Sequence, residues 1–125
     1  MEQKYLIDTN VLIGAQMNSL PEAGMKFMAE IIDKDFTVSF ITYIEFLGYK
    51  NVTKETEGFI ALANVLEINK EIIQTCVNMR KSKVVKLPDA IIAATALVNN
   101  LTLITRNISD FKNIPRLKIT NPWEL

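Results

Sequence analysis

The stretch Tyr5–Ile13, YLIDTNVLI, sets an aspartate between two apolar runs. Tyr5-Leu6-Ile7 reads as a strand entering a core. Val11-Leu12-Ile13 reads as more core, on a helix opening near Asn10. A carboxylate between buried segments is costly unless something satisfies it. Asp8 must therefore bond locally, cap the helix, or do chemistry. A strand that ends at a carboxylate and turns straight into a helix is the first half of a β-α-β unit, so the same alternation is sought downstream.

It recurs. Ser19 and Glu22 have capping-box spacing ahead of a helix carrying Met25, Met28, Ile31 and Ile32 at helical intervals. TVSFI (37–41) is β-branched and aromatic, a second strand. TYIEFLGYK (42–50) follows as a short helix whose end Gly48 weakens. Thr53 caps a helix over TKETEGFIALANVL, VLEI (65–68) forms a short strand, and Asn69 caps KEIIQTCVNMRKSK. LPDAIIAATALVNN (87–100) is apolar on nearly every side, so it is a buried helix with Pro88 in its first turn. LTLIT (101–105) and LKIT (117–120) are the last strands. This order predicts an α/β fold, a parallel sheet with helices on its faces. No repeat or linker interrupts it, so 1–125 is read as one domain.

Composition narrows the chemistry. About half of the 125 residues are apolar and the formal charge is zero, so binding of nucleic acid would need a local basic patch rather than a basic domain. No apolar run is long enough to span a bilayer, and the opening MEQKYLIDTN shows no signal-peptide core. The single Cys76, set among Ile72, Ile73, Val77 and Met79, is read as core and suits a reducing, cytoplasmic setting. Histidine is absent. That removes the commonest general base and metal-ligating side chain, with every Ser-His-Asp or Cys-His mechanism. Catalysis, if present, falls to carboxylates, and oxygen ligands favour Mg²⁺ or Mn²⁺.

Four acids stand at matching points. Asp8 ends the first strand, Glu45 lies beyond the second, Asp89 opens the buried helix, and Asp110 follows LTLIT after a short loop. Ligands in such folds sit outside the carboxyl ends of the strands. Each acid also has an ordinary reading. Asp8 can be an N-cap. Glu45 can be the capping-box partner of Thr42. Asp89 can complement a helix dipole, and Asp110 can be a turn residue in NISDF. Their shared edge is what points to a metal site, since clustered carboxylates raise one another's pKa and a divalent cation reverses that.

The segments LIDTNVLI, TYIEFLG, LPDAIIAATAL and LITRNISDF, in that order, resemble the PIN domain family, and within it the VapC-type toxin ribonucleases. The ending IPRLKITNP is also similar to the family's, so the resemblance spans essentially the whole chain. It implies a three-layer α/β/α fold with a mostly parallel sheet, and Mg²⁺- or Mn²⁺-dependent cleavage of RNA leaving 5′-phosphate and 3′-hydroxyl ends. Water activated by carboxylate-held metal would attack the phosphodiester in line. By the resemblance Asp8, Glu45 and Asp89 are the first three acids. Asn107 stands where many relatives carry the fourth, and Asp110 lies three residues on. We take Asp110 as the fourth catalytic and metal-binding acid, with Asn107 a neutral supporting group, which leaves one metal or two open. Asn10 and Thr105 are expected to orient the acids, or else to serve turn and cap chemistry.

RNA contacts are expected from Lys83 and Lys86 in RKSKVVK, where Arg80 and Lys81 also lie, and from Arg106 and Lys112. Such a basic run is also an ordinary solvated helix end. The resemblance further implies a homodimer and a cognate antitoxin protein covering the acidic edge. Tyr43, Phe46 and Tyr49 either line that groove or a dimer face, or belong to a core face. Aspartate-phosphorylating enzymes are the rival class. A haloacid-dehalogenase-like site needs a second aspartate where Asn10 stands, and a receiver domain needs an early acidic pair that is missing. A catalytically weak RNA- or protein-binding module is the other alternative.

Overall fold

The computed structural model describes residues 3–125, so the first two residues of the expected 1–125 unit lie outside it. Five short strands alternate with helices: β1 (Tyr5–Ile7), α1 (Thr9–Gln16), α2 (Glu22–Asp35), β2 (Thr37–Ser39), α3 (Phe40–Leu47), α4 (Lys54–Ile60), β3 (Asn64–Leu66), α5 (Lys70–Ser82), α6 (Leu87–Val98), β4 (Thr102–Ile104), α7 (Ile108–Phe111) and β5 (Ile119–Thr120). A closing 3₁₀ turn covers Pro122–Glu124. Every ladder is parallel: β1 with β4, β4 with β5, and β2 with β3. β1, β4 and β5 form one hydrogen-bonded sheet and β2 and β3 a second, and β1 packs beside β2, so the strands lie in the lateral order 3-2-1-4-5. The chain leaves β1 towards β2 on one side and returns as β4 on the other, so the order reverses at β1. Such a reversal opens a crevice beyond the carboxyl ends of the strands.

Alternation along each strand makes the three layers. Leu6 and Leu103 face one way, into a core with Ile72, Cys76, Ala93 and Phe111 from α5–α7. Ile7 and Ile104 face the other way, into Val11, Met28, Phe46 and Ile60 from α1–α4. Cys76 is buried as expected. Helix α6 is buried along most of its length, and the Thr95 hydroxyl in it donates to the Ile91 carbonyl at 2.7 Å. That back-bond satisfies a polar group that has no other outlet.

Two expected caps do not form. Ser39 caps α3, its hydroxyl accepting from the Thr42 amide at 3.1 Å, so Thr42 is already inside the helix and the Thr42–Glu45 box is impossible. Pro21 occupies the N-cap of α2, which makes Glu22 the first helical residue and leaves the Ser19 hydroxyl to donate to the Gly14 carbonyl at 3.2 Å. Asn69 and Thr53 cap α5 and α4 as expected. Asp110 lies in the single helical turn α7 rather than in a loose bend.

The closing turn is wedged between α1 and α2. A Cβ added at Gly14 would lie 2.8 Å from the Trp123 ring, and one at Gly24 would overlap the Pro122 carbonyl oxygen. Both glycines are there to admit that segment.

Candidate active site at the carboxyl edge of the sheet

Asp8 leaves β1 with its amide bonded to the Ile104 carbonyl, which fixes it beside the end of β4. It is 5 % exposed. Its Oδ1 accepts from the Thr9 amide at 2.8 Å, so it does cap α1. Its Oδ2 accepts from the Thr105 hydroxyl at 2.8 Å and the Asn10 side-chain amide at 3.1 Å. The cap and the chemistry are thus compatible, because a carboxylate has about four acceptor positions and three are filled. Asn10 is held in turn, its Oδ1 accepting from the Arg106 amide at 3.0 Å. Thr105, fully buried, also accepts from the Asn107 amide at 3.1 Å. Two segments that are distant in sequence, residues 8–10 and 104–107, converge on one carboxylate.

Glu45 is exposed on α3 and is tied to the same edge by the Thr9 hydroxyl, which donates to its Oε1 at 2.7 Å. The Thr42 hydroxyl lies 3.3 Å from that of Thr9 and 3.4 Å from that of Ser39. Sequence reasoning missed Thr9, Thr42 and Ser39 in this role. A threonine beside an acid carries no distinctive spacing, and only the fold brings α3 against α1. Asp89, half-buried in the first turn of α6, and exposed Asp110 on α7 line a cleft of about 430 Å³ with Lys83, Lys86 and Ser109.

Charge couples the two halves. Burial pushes the Asp8 carboxyl above its usual range and the Glu45 charge adds to this, while the bonds from Thr105, Thr9 and Asn10 oppose it. Burial also raises Asp89, with repulsion from Asp110, Asp8 and Glu45, against the attraction of Lys86. Among the described residues, no three acids stand close enough to form a ready-made metal cage. The donor chemistry does fit a hard divalent cation. All four groups are carboxylates, two are destabilised as anions by burial and by neighbouring carboxylates, and Asp8 retains an open acceptor position.

The basic residues are spread more widely. Lys83 and Lys86 face the Asp89–Asp110 cleft. Lys112 is exposed just after α7, Lys81 is exposed on α5, and the Arg80 Nε donates to the Val85 carbonyl at 3.3 Å. The Arg106 guanidinium stacks on Trp123, 4.5 Å from the ring centroid. Phe46 is core and Tyr43 packs against it, while Tyr49 is exposed beside Ile13, Met17 and Val52.

A model of the PIN domain matches residues 5–117, nearly the whole chain. The chain belongs to the PIN domain family. The ribonuclease VapC2 of Rickettsia felis is 25 % identical over 134 residues, covering 96 % of this chain and 98 % of that protein. Among solved structures, a toxin–antitoxin complex from Klebsiella pneumoniae is 35 % identical, covering 98 % of this chain and all of that one, with a TM-score of 0.76. VapBC-1 from nontypeable Haemophilus influenzae is 26 % identical over 98 % of this chain and all of its own, with a TM-score of 0.77. The three-layer, parallel PIN arrangement expected from the sequence is the one observed. PIN-domain ribonucleases are generally dependent on divalent metal. No helix among the described residues is long and apolar enough to cross a membrane.

Thr105→Val tests the centre of this PIN edge. The change keeps shape but leaves the buried Asp8 Oδ2 with one donor instead of two. Loss of about 1–3 kcal/mol of stability is expected. Removing that donor also raises the Asp8 pKa further. If ionised Asp8 is needed for activity, the acid limb of a pH–rate profile moves to higher pH. An unmoved limb would mean that Asp8 is not the group titrating.

Proposed function

We propose that the protein is a Mg²⁺- or Mn²⁺-dependent endoribonuclease, a single PIN domain over 1–125 acting as the toxin of a toxin–antitoxin pair. The observation that carries this is the carboxylate of Asp8, buried where β1 ends, with Asp89 within electrostatic reach of Asp8, Glu45 and Asp110. Structural ion pairs would neutralise such acids. Here they repel one another, which is the arrangement a cation site needs. The names of the relatives, a ribonuclease and a toxin–antitoxin complex, support the same reading.

On this reading Asp8, Glu45, Asp89 and Asp110 would hold the ion, with the exposed Glu45 and Asp110 turning inward. The ion would supply positive charge to acidify water and to offset charge on the leaving oxygen of a phosphodiester. Asn10 and Thr105 fix the Asp8 carboxylate, so no reorganisation is needed when charge develops. Thr9 orients Glu45. Asn107 stands at the entrance as a neutral group. Lys83, Lys86, Arg106 and Lys112 meet RNA phosphates. A cytoplasmic homodimer, silenced by a cognate antitoxin, completes the proposal.

The test is cleavage of a tRNA and rRNA panel by the antitoxin-free protein in Mg²⁺, Mn²⁺ or EDTA. Discrete cuts that require metal are expected. RNA bound but uncut in every condition would favour the binding-module alternative.

A further inference from the structure

The lone tryptophan, Trp123, lies far along the chain from Asp8, yet it is joined to the acidic edge through a single residue. Arg106 connects them. Its backbone amide donates to Asn10 Oδ1 at 3.0 Å, and Asn10 donates to Asp8. Its guanidinium lies over the Trp123 ring, 4.5 Å from the centroid. The ring cannot slide away, because it is seated against Gly14 and Leu20 on the α1–α2 surface, and the Trp123 amide is pinned by Asn121 Oδ1 at 3.0 Å. Gly14 is one helical turn beyond Asn10, so the ring that the guanidinium covers is seated a turn along α1 from Asn10.

An exposed arginine normally samples many rotamers. This one lies over an aromatic ring while remaining exposed. The ring attracts the cation through its π face without using its N–H donors, the groups that grip a phosphate. A cation here has a use that the fold does not supply: the edge it borders carries four carboxylates, and an RNA backbone approaching them is repelled. We propose that Trp123 is a positioning residue that holds Arg106 as a fixed phosphate clamp, gripping the RNA backbone just outside the acidic edge on its α1 side. This rests on the ribonuclease reading and adds to it a defined path for the strand. The RNA crosses from the Lys83–Lys86 cleft, past Asp8, to Arg106. It also gives the closing turn a role in substrate affinity.

The test uses a short fluorescein-labelled single-stranded RNA of mixed sequence, titrated in EDTA so that no cleavage intervenes. Arg106→Gln is expected to weaken binding about 5- to 10-fold at low salt. It should reduce the slope of log affinity against log salt by about 0.7, the loss of one phosphate contact. Trp123→Leu keeps apolar bulk in the seat but removes the π face, and should weaken binding by a similar factor. The double variant should be little worse than either single one, because both remove the same clamp. Trp123→Phe should retain most of the affinity. A purely structural tryptophan would lower the melting temperature without changing the salt slope, and its effect would multiply with that of Arg106→Gln. Either of those results overturns the proposal. So does wild-type affinity in Arg106→Gln, a surface change that does not threaten folding and that decides the matter even if Trp123→Leu fails to fold. If the wild type neither binds nor cuts RNA, the ribonuclease reading fails first. Salt-dependent binding by the wild type that is indifferent to Arg106 defeats the clamp alone.

Discussion

Replacing Asp89 by Asn is expected to abolish cleavage and, in metal-free buffer, to make the protein more stable. The first effect is of the order of 10²–10³-fold, the size seen when one charge-stabilising group is taken from an active site. The second follows from sign. The Asp89 pKa is raised in the fold by burial and by Asp110, Asp8 and Glu45, so its anion is disfavoured there relative to the unfolded chain. The native state then binds more protons than the unfolded state between the ordinary carboxyl pKa and the raised one. Stability falls as pH climbs through that window and stays lower at neutral pH. Asn removes the cost. It also gives up a helix-dipole attraction worth roughly 0.3–1 kcal/mol in the first turn of α6, but the net upward shift shows that repulsion and burial outweigh the favourable terms. A melting temperature above wild type is expected at pH 7 in EDTA, with the gap closing as pH falls through the ordinary carboxyl range. Adding Mg²⁺ or Mn²⁺ should reverse the ranking, because a ligand at 100 times its Kd stabilises by about 2.7 kcal/mol and only the intact site binds it tightly. Thermal melts in EDTA and in metal check this. A variant that is less stable than wild type in EDTA would mean that Asp89 is anchored by attraction, and the case for a cation site would lose its electrostatic basis.

Phe111→Ala is expected to have the largest effect on stability. Phe111 is fully buried and is the bulkiest of the fully buried side chains. It belongs to the core between the sheet and α5–α6, and it anchors the single turn that carries Asp110. Truncating a buried phenylalanine costs about 3–5 kcal/mol, which lowers the melting temperature by roughly 10–20 °C in a chain of this size. A four-residue helix has no independent stability, so Asp110 should lose its place before the rest of the fold melts. Cleavage should fall at temperatures where far-ultraviolet circular dichroism remains native. A melting temperature within about 2 °C of wild type would mean that α7 closes over the gap and is not anchored by this ring.

The fold was legible because its signals are local. Tyr5-Leu6-Ile7, Thr37-Val38-Ser39 and Thr102-Leu103-Ile104 are short apolar or β-branched strands, and the alanine-rich helix from Leu87 needs no context to be read. The candidate acids drew notice by their place in these elements: Asp8 between β1 and α1, Asp89 in the first turn of α6 and Asp110 in the single turn α7, with Glu45 inside α3. The ties between them were not legible. Thr9 reaches Glu45 across 36 residues and Thr105 reaches Asp8 across 97. Hydroxyls make such bonds at any separation, so no spacing announces them. The caps failed through competition among neighbours. Ser39 outranked Thr42 by standing three residues earlier, and Pro21 took the position that Ser19 needed. Trp123 was passed over because a lone aromatic near two prolines has no period, and its meaning depends on glycines a hundred residues away.

The bond between Thr105 and Asp8 has a consequence for how the protein is made. Translation delivers Asp8 first, and the hydroxyl that holds the carboxylate follows 97 residues later with the end of β4. Until then β1 lacks its β4 neighbour, and Asn10 lacks the Arg106 amide that fixes it. A ribosome partway through the message therefore carries an unassembled edge next to its own RNA. On the ribonuclease reading, the order of synthesis delays the appearance of a competent nuclease until β4 has emerged and docked.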